Sequence, residues 1–234
     1  MLSGIGPKHH LSEHGIRCIQ DLPVGNNLQD HLIFYGLLYL IDFDIDQNLV
    51  RMAASFLNYV IFGKGPLTGA IEGVGFMKTS ESTTEGDQPD VEFLFSRGSL
   101  ASDRHTFSKI AFAFRDKVYD SVFKLAQRRP HWGIFPTLLY PKSKGNITLR
   151  CNNPRAPPLI YPNYFTDPEN KDIKTMVEAN SIHPKTSFDY WACALRTMAF
   201  TLYHQIGTTK MGPRDDPTAV VNSQLQVYGI ETLR

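Results

Sequence analysis

The chain has 234 residues, of which 42% are hydrophobic and 20% charged, with a formal net charge of +1. That length and balance fit one sizeable folded core, or one domain with remnants of another, and exclude a disordered or low-complexity chain. A charge so near zero gives no electrostatic case for nucleic acid or an anionic membrane, and no apolar run approaches the length of a membrane span.

Along the chain, Lys8 to Gly15 predicts a short helix ended by Gly15 at a C-cap position. Ile16 to Ile19 follows as a strand, and Leu22 to Asn27 is a loop whose Pro, Gly and Asn supply turn geometry. Leu32 to Ile41 is rich in strand formers. From Gln47 to Phe62 apolar residues recur at helix spacing, and Gly63-Lys64-Gly65-Pro66 stops the helix. Gly73 to Thr79 and Val91 to Ser96 read as strands, with a polar, mobile loop over Ser80 to Pro89. Ser121 to Gln127 fits a strand or a short helix. Ile134 to Tyr140 and Ile147 to Cys151 read as strands flanking a Pro-Lys-Ser-Lys-Gly-Asn turn. Asp167 is placed to cap a helix running to Ala179, with Pro168 in its first turn. Phe188 to Leu202 predicts a second helix. Strands and helices mix without βαβ alternation, so the expected class is α+β, a mostly antiparallel sheet with helices on one side.

Cys18, Cys151 and Cys193 lack Cys-x-x-Cys spacing and argue for buried free thiols over a disulfide framework or zinc site. His9, His10 and His14 invite a metal reading, because positions 10 and 14 share a helix face. No His-Glu-x-x-His accompanies them, so an exposed helix surface is expected, and no metal. Asn146-Ile147-Thr148 fits a glycosylation sequon, but an ordinary turn entering a strand is favoured. His105, His131 and His183 lie in polar or Pro-flanked loops without partners at useful spacing. Trp132 and Trp191 read as core anchors.

The strongest chemical signal lies near the end of the chain, at Tyr203-His204-Gln205-Ile206-Gly207-Thr208-Thr209-Lys210-Met211-Gly212-Pro213. A histidine of ordinary pKa takes or gives a proton near neutral pH, and the glycines permit a tight turn and close approach to a ligand. His204 is therefore the acid–base candidate. Three further groups of residues accompany it. Asp216-Pro217-x-Ala219-Val220-Val221 and Leu225-x-Val227-Tyr228-Gly229-Ile230-x-x-Leu233-Arg234 follow. Leu2-Ser3-Gly4-Ile5-Gly6-Pro7 and Leu22-Pro23-Val24-Gly25-x-Asn27-Leu28-Gln29-Asp30-His31 open the chain. Pro141-Lys142-Ser143-x-Gly145 and Pro157-Pro158-Leu159-Ile160-x-Pro162-Asn163-Tyr164 lie in the middle.

This ordered set resembles the glucose–methanol–choline (GMC) oxidoreductase family over Leu2 to Arg234, and animal glucose dehydrogenase-like members in particular. The resemblance implies FAD as cofactor and a small-molecule alcohol or sugar as substrate. It places His204 at the reactive edge of the flavin, as the base that removes the alcohol proton while hydride leaves for the cofactor. It sets Asn27 and Tyr203 near the cofactor. Asp30 and His31 read equally as a local pair that fixes a loop.

The family's Gly-x-Gly-x-x-Gly turn, which receives the cofactor pyrophosphate, does not occur in this sequence. The expected organisation is a remnant of the FAD-binding domain over 1–31, a substrate domain over 32–202, and an active-site segment over 203–234 returning toward the missing FAD-binding domain. Only Asn180 to Ser187 bridge a region where family members carry a longer segment. A partial chain of this kind is expected to bind FAD weakly or not at all, to expose apolar surface, and to be inactive by itself. The alternative is a noncatalytic truncated product or interaction protein that keeps the substrate-domain fold. Localisation stays open; an extracellular placement would follow from a signal peptide on a complete protein.

Overall fold

A computed structural model describes residues 1–42, 49–69, 71–102, 111–127, 129–181 and 186–234. The chain forms two compact units. One gathers residues 1–31, 141–172 and 201–234; the other takes 32–140 and 173–200.

The first unit is mostly irregular backbone tied by short pairings. Strands β1 (Ile5–Gly6) and β2 (Gln20–Asp21) pair in parallel. Helix α1 (Lys8–Glu13) lies between them and buries Leu11. The expected strand at Ile16–Ile19 begins instead at Gln20. Ile16 N–H is still bonded to the Leu11 carbonyl in the helix C-terminal turn, and pairing starts only beyond it. Gly15 follows α1 with φ of 67°, the left-handed geometry expected after a helix.

The second unit holds β3 (Leu32–Phe34), β4 (Leu37–Leu40), β5 (Gly73–Met77), β6 (Val91–Arg97) and β7 (His131–Leu138). Its mostly antiparallel sheet has the order β10 (Ala199–Thr201), β3, β7, β6, β5, with β4 also paired to β7. The single strand expected over Leu32–Ile41 is divided. Leu32 and Ile33 oppose Leu138 and Thr137, whereas Leu37 opposes Ile134, so the register steps by one residue at Tyr35-Gly36. Both halves still follow the same partner strand.

Helix α2 (Leu49–Phe62) leaves Phe56, Leu57, Val60, Ile61 and Phe62 exposed. Helix α3 (Asp116–Phe123) resolves the ambiguous segment as helix, with Tyr119 and Phe123 fully buried one turn apart. Their rings join Phe114, whose ring lies 4.4 Å from that of Phe200. The loop before Asp90 is pinned. Buried Asp90 accepts hydrogen bonds from Thr79 N–H (2.8 Å) and Oγ1 (2.6 Å), and Glu178 accepts from Ser80 N–H and Oγ.

In the first unit, β8 (Asn146–Thr148) pairs with β9 (Leu159–Tyr161). The turn before β8 therefore does not close a hairpin with β7. Helix α4 (Lys171–Asn180) starts later than Pro168, because Asn170 takes φ of 54°. Asp167 nonetheless caps it, accepting Lys171 N–H at 2.6 Å. Helix α5 (Phe188–Met198) is capped by Ser187 and buries Trp191, Leu195 and Met198. Trp191 packs edge-on against Phe34 of the sheet, 6.3 Å between ring centroids. The helix expected to reach Leu202 stops at Met198, and Ala199–Thr201 becomes β10 on the edge of β3. Phe and Thr are strand formers, and an open sheet edge satisfies their backbone as well as another helical turn would.

Candidate functional site around His204

The site is built within the first unit by two stretches zipped antiparallel. Gly25 N–H bonds the Thr208 carbonyl, Gln29 and Ile206 exchange both backbone bonds, and Leu202 N–H bonds the His31 carbonyl. Between the last two rungs one residue, Asp30, opposes three, Tyr203, His204 and Gln205. The longer stretch must bulge, and Tyr203 takes φ of 61° to do so.

Asp30 fills the mouth of that bulge. Its carboxylate is 4% exposed and accepts from His204 N–H (3.0 Å), Tyr164 Oη (2.7 Å), Thr201 Oγ1 (2.5 Å) and Gln205 Nε2 (3.2 Å). Among the described residues no cation pairs with it. Such a group is tolerable only when its oxygens are fully hydrogen-bonded. Burial, reinforced by the Asp30 carboxylate, pushes the Tyr164 hydroxyl above its ordinary range, so Tyr164 remains a donor.

The His204 side chain is exposed, with Nδ1 3.3 Å from Nδ1 of half-buried His31. The described residues give its Nε2 no hydrogen-bond partner. Tyr203 beside it is exposed, and its N–H bonds Thr201 Oγ1 at 2.8 Å. Asn27, at φ of 58°, donates from Nδ2 to the Gly207 carbonyl at 3.3 Å. Asn27, Tyr203 and His204 thus share one loop system, together with Asp30 and His31. Asn27 already spends one amide hydrogen on the loop itself.

The Gly4-Ile5-Gly6 turn does not offer a cradle for a dinucleotide pyrophosphate. At Gly4-Ile5-Gly6 the space a ligand would need is filled: a Cβ on Gly4 would lie 2.5 Å from the Arg17 carbonyl, and one on Gly6 2.9 Å from Met1 Cγ. Helix α1 behind them has only six residues. The pyrophosphate end of an FAD has no fit here, whereas the exposed imidazole suits a reacting edge presented to it from outside.

Other singled-out residues have structural employment. His10 Nε2 accepts the Leu149 N–H at 2.9 Å, and His14 Nε2 lies 3.1 Å from the Leu149 carbonyl. The two imidazoles therefore hold one residue of backbone, a role that helical spacing alone did not reveal, whereas His9 stays on the exposed face of α1. His131 is buried at the start of β7, bonded through Nδ1 to the Arg129 carbonyl and through Nε2 to Ser99 Oγ. His105 and His183 lie outside the described residues. Asn146 is half-buried at the start of β8, and its Oδ1 is buried without a hydrogen-bond partner among the described residues. Cys18 and Cys151 are half-buried and Cys193 is exposed; all three are free thiols. Among the described residues there is no group of three or more potential metal ligands, and no helix is long and apolar enough to cross a membrane.

The chain is similar to known proteins along its whole length. The family model described as GMC oxidoreductase matches residues 141–234. The glucose dehydrogenase [FAD, quinone] of Drosophila pseudoobscura pseudoobscura is 32% identical over all of this chain and 39% of its own length. The alcohol dehydrogenase [acceptor] of Pseudomonas putida is 34% identical over all of this chain and 43% of its own length. A solved formate oxidase of Aspergillus oryzae superposes with a TM-score of 0.76 at 25% identity, covering all of this chain and 46% of that one. The chain spans about two fifths of the length of the curated relatives it matches.

Proposed function

We propose that this chain belongs to the GMC oxidoreductase family and supplies the base and part of the substrate-facing wall for oxidation of an alcohol or sugar CH–OH group. His204 Nε2 takes the hydroxyl proton. A bound flavin would accept the hydride from the same carbon, so that proton and hydride together leave a carbonyl product. The observation that carries this reading is the state of His204: one ring nitrogen is held by His31, and the side chain is exposed, with no hydrogen-bond partner for the other nitrogen among the described residues. A general base must reach its proton within hydrogen-bond distance, and an open Nε2 on an anchored loop meets that condition.

Asn27 and Tyr203 are the proposed cofactor contacts, with Tyr203 flanking the base and Asn27 bracing its loop. In this reading residues 32–202 form the substrate domain, residues 1–31 and 203–234 belong with a FAD-binding domain, and FAD is held chiefly by residues outside this chain. The isolated chain then binds the cofactor weakly or not at all.

The test is single-turnover flavin reduction in a complete, flavin-loaded protein carrying His204→Ala. Loss of a general base lowers such a rate by roughly a hundredfold to ten-thousandfold, with flavin still bound. Reduction at nearly the parent rate would reject the assignment. A second reading, a noncatalytic chain that keeps this fold, is favoured by the packed glycines at 4 and 6. Stoichiometric flavin absorbance on the purified chain would exclude it.

A further inference from the structure

We propose that Asp30 and His31 are the positioning residues of His204: Asp30 fixes the backbone that carries it, and His31 dictates which of its ring nitrogens holds the proton. The inference rests on the reading of His204 as a base, and it concerns how this chain prepares that base before any ligand arrives.

The first half follows from the bulge. Three residues opposing one cannot be held by ladder hydrogen bonds, and a non-glycine residue at positive φ adds backbone strain. A buried carboxylate tied to the His204 N–H, the Gln205 amide, and the Thr201 and Tyr164 hydroxyls replaces the missing ladder. These donors come from two separated stretches of the chain, residues 201–205 and Tyr164, so the carboxylate sets the bulge against the rest of the unit as well as within itself. Hydrogen bonds to a charged acceptor are roughly twice as strong as neutral ones.

The second half follows from the chemistry of two like nitrogens in contact. An Nδ1···Nδ1 hydrogen bond at 3.3 Å requires one imidazole to donate and the other to accept. With His204 donating from Nδ1, its Nε2 carries a lone pair and faces outward, and His31 carries its proton on Nε2. The opposite arrangement would place a proton on His204 Nε2 and abolish the base. Only the first tautomer is competent. It also leaves the Nδ1–H bond to His31 intact after Nε2 has been protonated, so the imidazolium stays in place while the product departs. Asp30 lies behind this pair on the His204 N–H, and its oxygens are committed to the bulge and Tyr164.

The experiment is nitrogen NMR of the imidazoles in the 234-residue chain, without cofactor, at a pH where both rings are neutral. The parent should show His204 with a protonated-type Nδ1 and an unprotonated-type Nε2. His31→Leu removes the acceptor, and the His204 tautomer ratio should fall about fivefold, the effect of losing one ordinary hydrogen bond. His31→Gln restores an amide oxygen that accepts the same proton, and should return the ratio toward the parent. Asp30→Asn should leave the His31 effect alone but speed exchange of the His204 amide, with the Leu202 amide signal confirming that the zipper is still formed. A parent chain with His204 protonated on Nε2, or a ratio unmoved by His31→Leu, overturns the His31 role. An unchanged His204 amide in Asp30→Asn overturns the Asp30 role. These outcomes are independent of flavin reduction in His204→Ala: a near-parent rate there would remove the base assignment while leaving the tautomer result standing, and the converse holds equally.

Discussion

Gly207→Ala is the sharpest probe of the zipper that carries His204. Gly207 has φ of 94°, and a Cβ there would lie 2.3 Å from the Asn27 carbonyl oxygen and 2.8 Å from Asn27 Nδ2. Left-handed backbone costs an L-residue about 1–2 kcal/mol. Forcing an atom against a backbone carbonyl adds about 1–3 kcal/mol as overpacking, and displacing the Asn27–Gly207 bond removes about 1 kcal/mol more. The natural control is Gly15, at φ of 67° with nothing within 4 Å of its added Cβ; Gly15→Ala carries the backbone strain without the collision. The two should therefore differ by about 2–4 kcal/mol, which is roughly thirtyfold to a thousandfold in a local opening constant. Native-state hydrogen exchange at the Ile206 and Leu28 amides, bonded to Gln29 and Gly145 carbonyls, reads that opening directly. If Gly207→Ala exchanges within about twofold of Gly15→Ala at those amides, close packing of the two stretches is not what holds the loop.

Three further outcomes are expected. The Tyr164 hydroxyl is raised above its ordinary value of 10.0 by burial and by Asp30. The unfolded chain then loses this proton first, so stability present below pH 10 drains away as pH climbs beyond it. Denaturant melts should show this alkaline loss in the parent and a flatter limb in Tyr164→Phe; identical limbs would exclude Tyr164 as its source. Asp90→Ala strands the buried Thr79 N–H and hydroxyl, at about 1–3 kcal/mol for each unsatisfied group, and should raise amide exchange along the β5–β6 hairpin; unaltered exchange at Met77 would contradict it. Lys210 Nζ lies 2.7 Å from Asp216, and with Thr218 it holds that carboxyl well below the ordinary 3.8. The resulting stabilisation is present above that ordinary value and lost as pH falls below it, and Lys210→Ala should bring the Asp216 titration back toward 3.8 by NMR.

Local chemistry was legible in the sequence; distant chemistry was not. The Asp167 cap and the Gly15 helix stop could be read because each acts on backbone a few residues away. The end of α5 could not, because whether Ala199-Phe200-Thr201 continues a helix depends on the free edge of β3, over 160 residues upstream. His204 and its Gly-Thr turn stood out as chemistry-bearing residue types. Asp30 offered no comparable signal: its donors lie 134, 171 and 174 residues away, and nothing in a linear spacing reports them. The same is true of His10 and His14, whose shared partner is the backbone of Leu149 rather than a metal or solvent.

The separation between Asp30 and His204 also has a consequence in time. During synthesis at roughly 5–20 residues per second, the 174 residues between them take on the order of 10–35 s to emerge. A ten-residue loop closes in about 10–100 ns, so chain motion is not what delays the match. Until the segment around Tyr203 leaves the ribosome, the first thirty-one residues have no Ile206 or Thr208 to pair with, and the Asp30 carboxylate stays in water. The loop system around His204 thus assembles only after strands β3 to β7 have emerged, and a nascent chain interrupted before Thr201 would lack the stretch that Asp30 binds. Ribosome-stalled chains of increasing length, probed by protease at the 22–31 loop, should pass from cleaved to protected only after residue 208 is exposed.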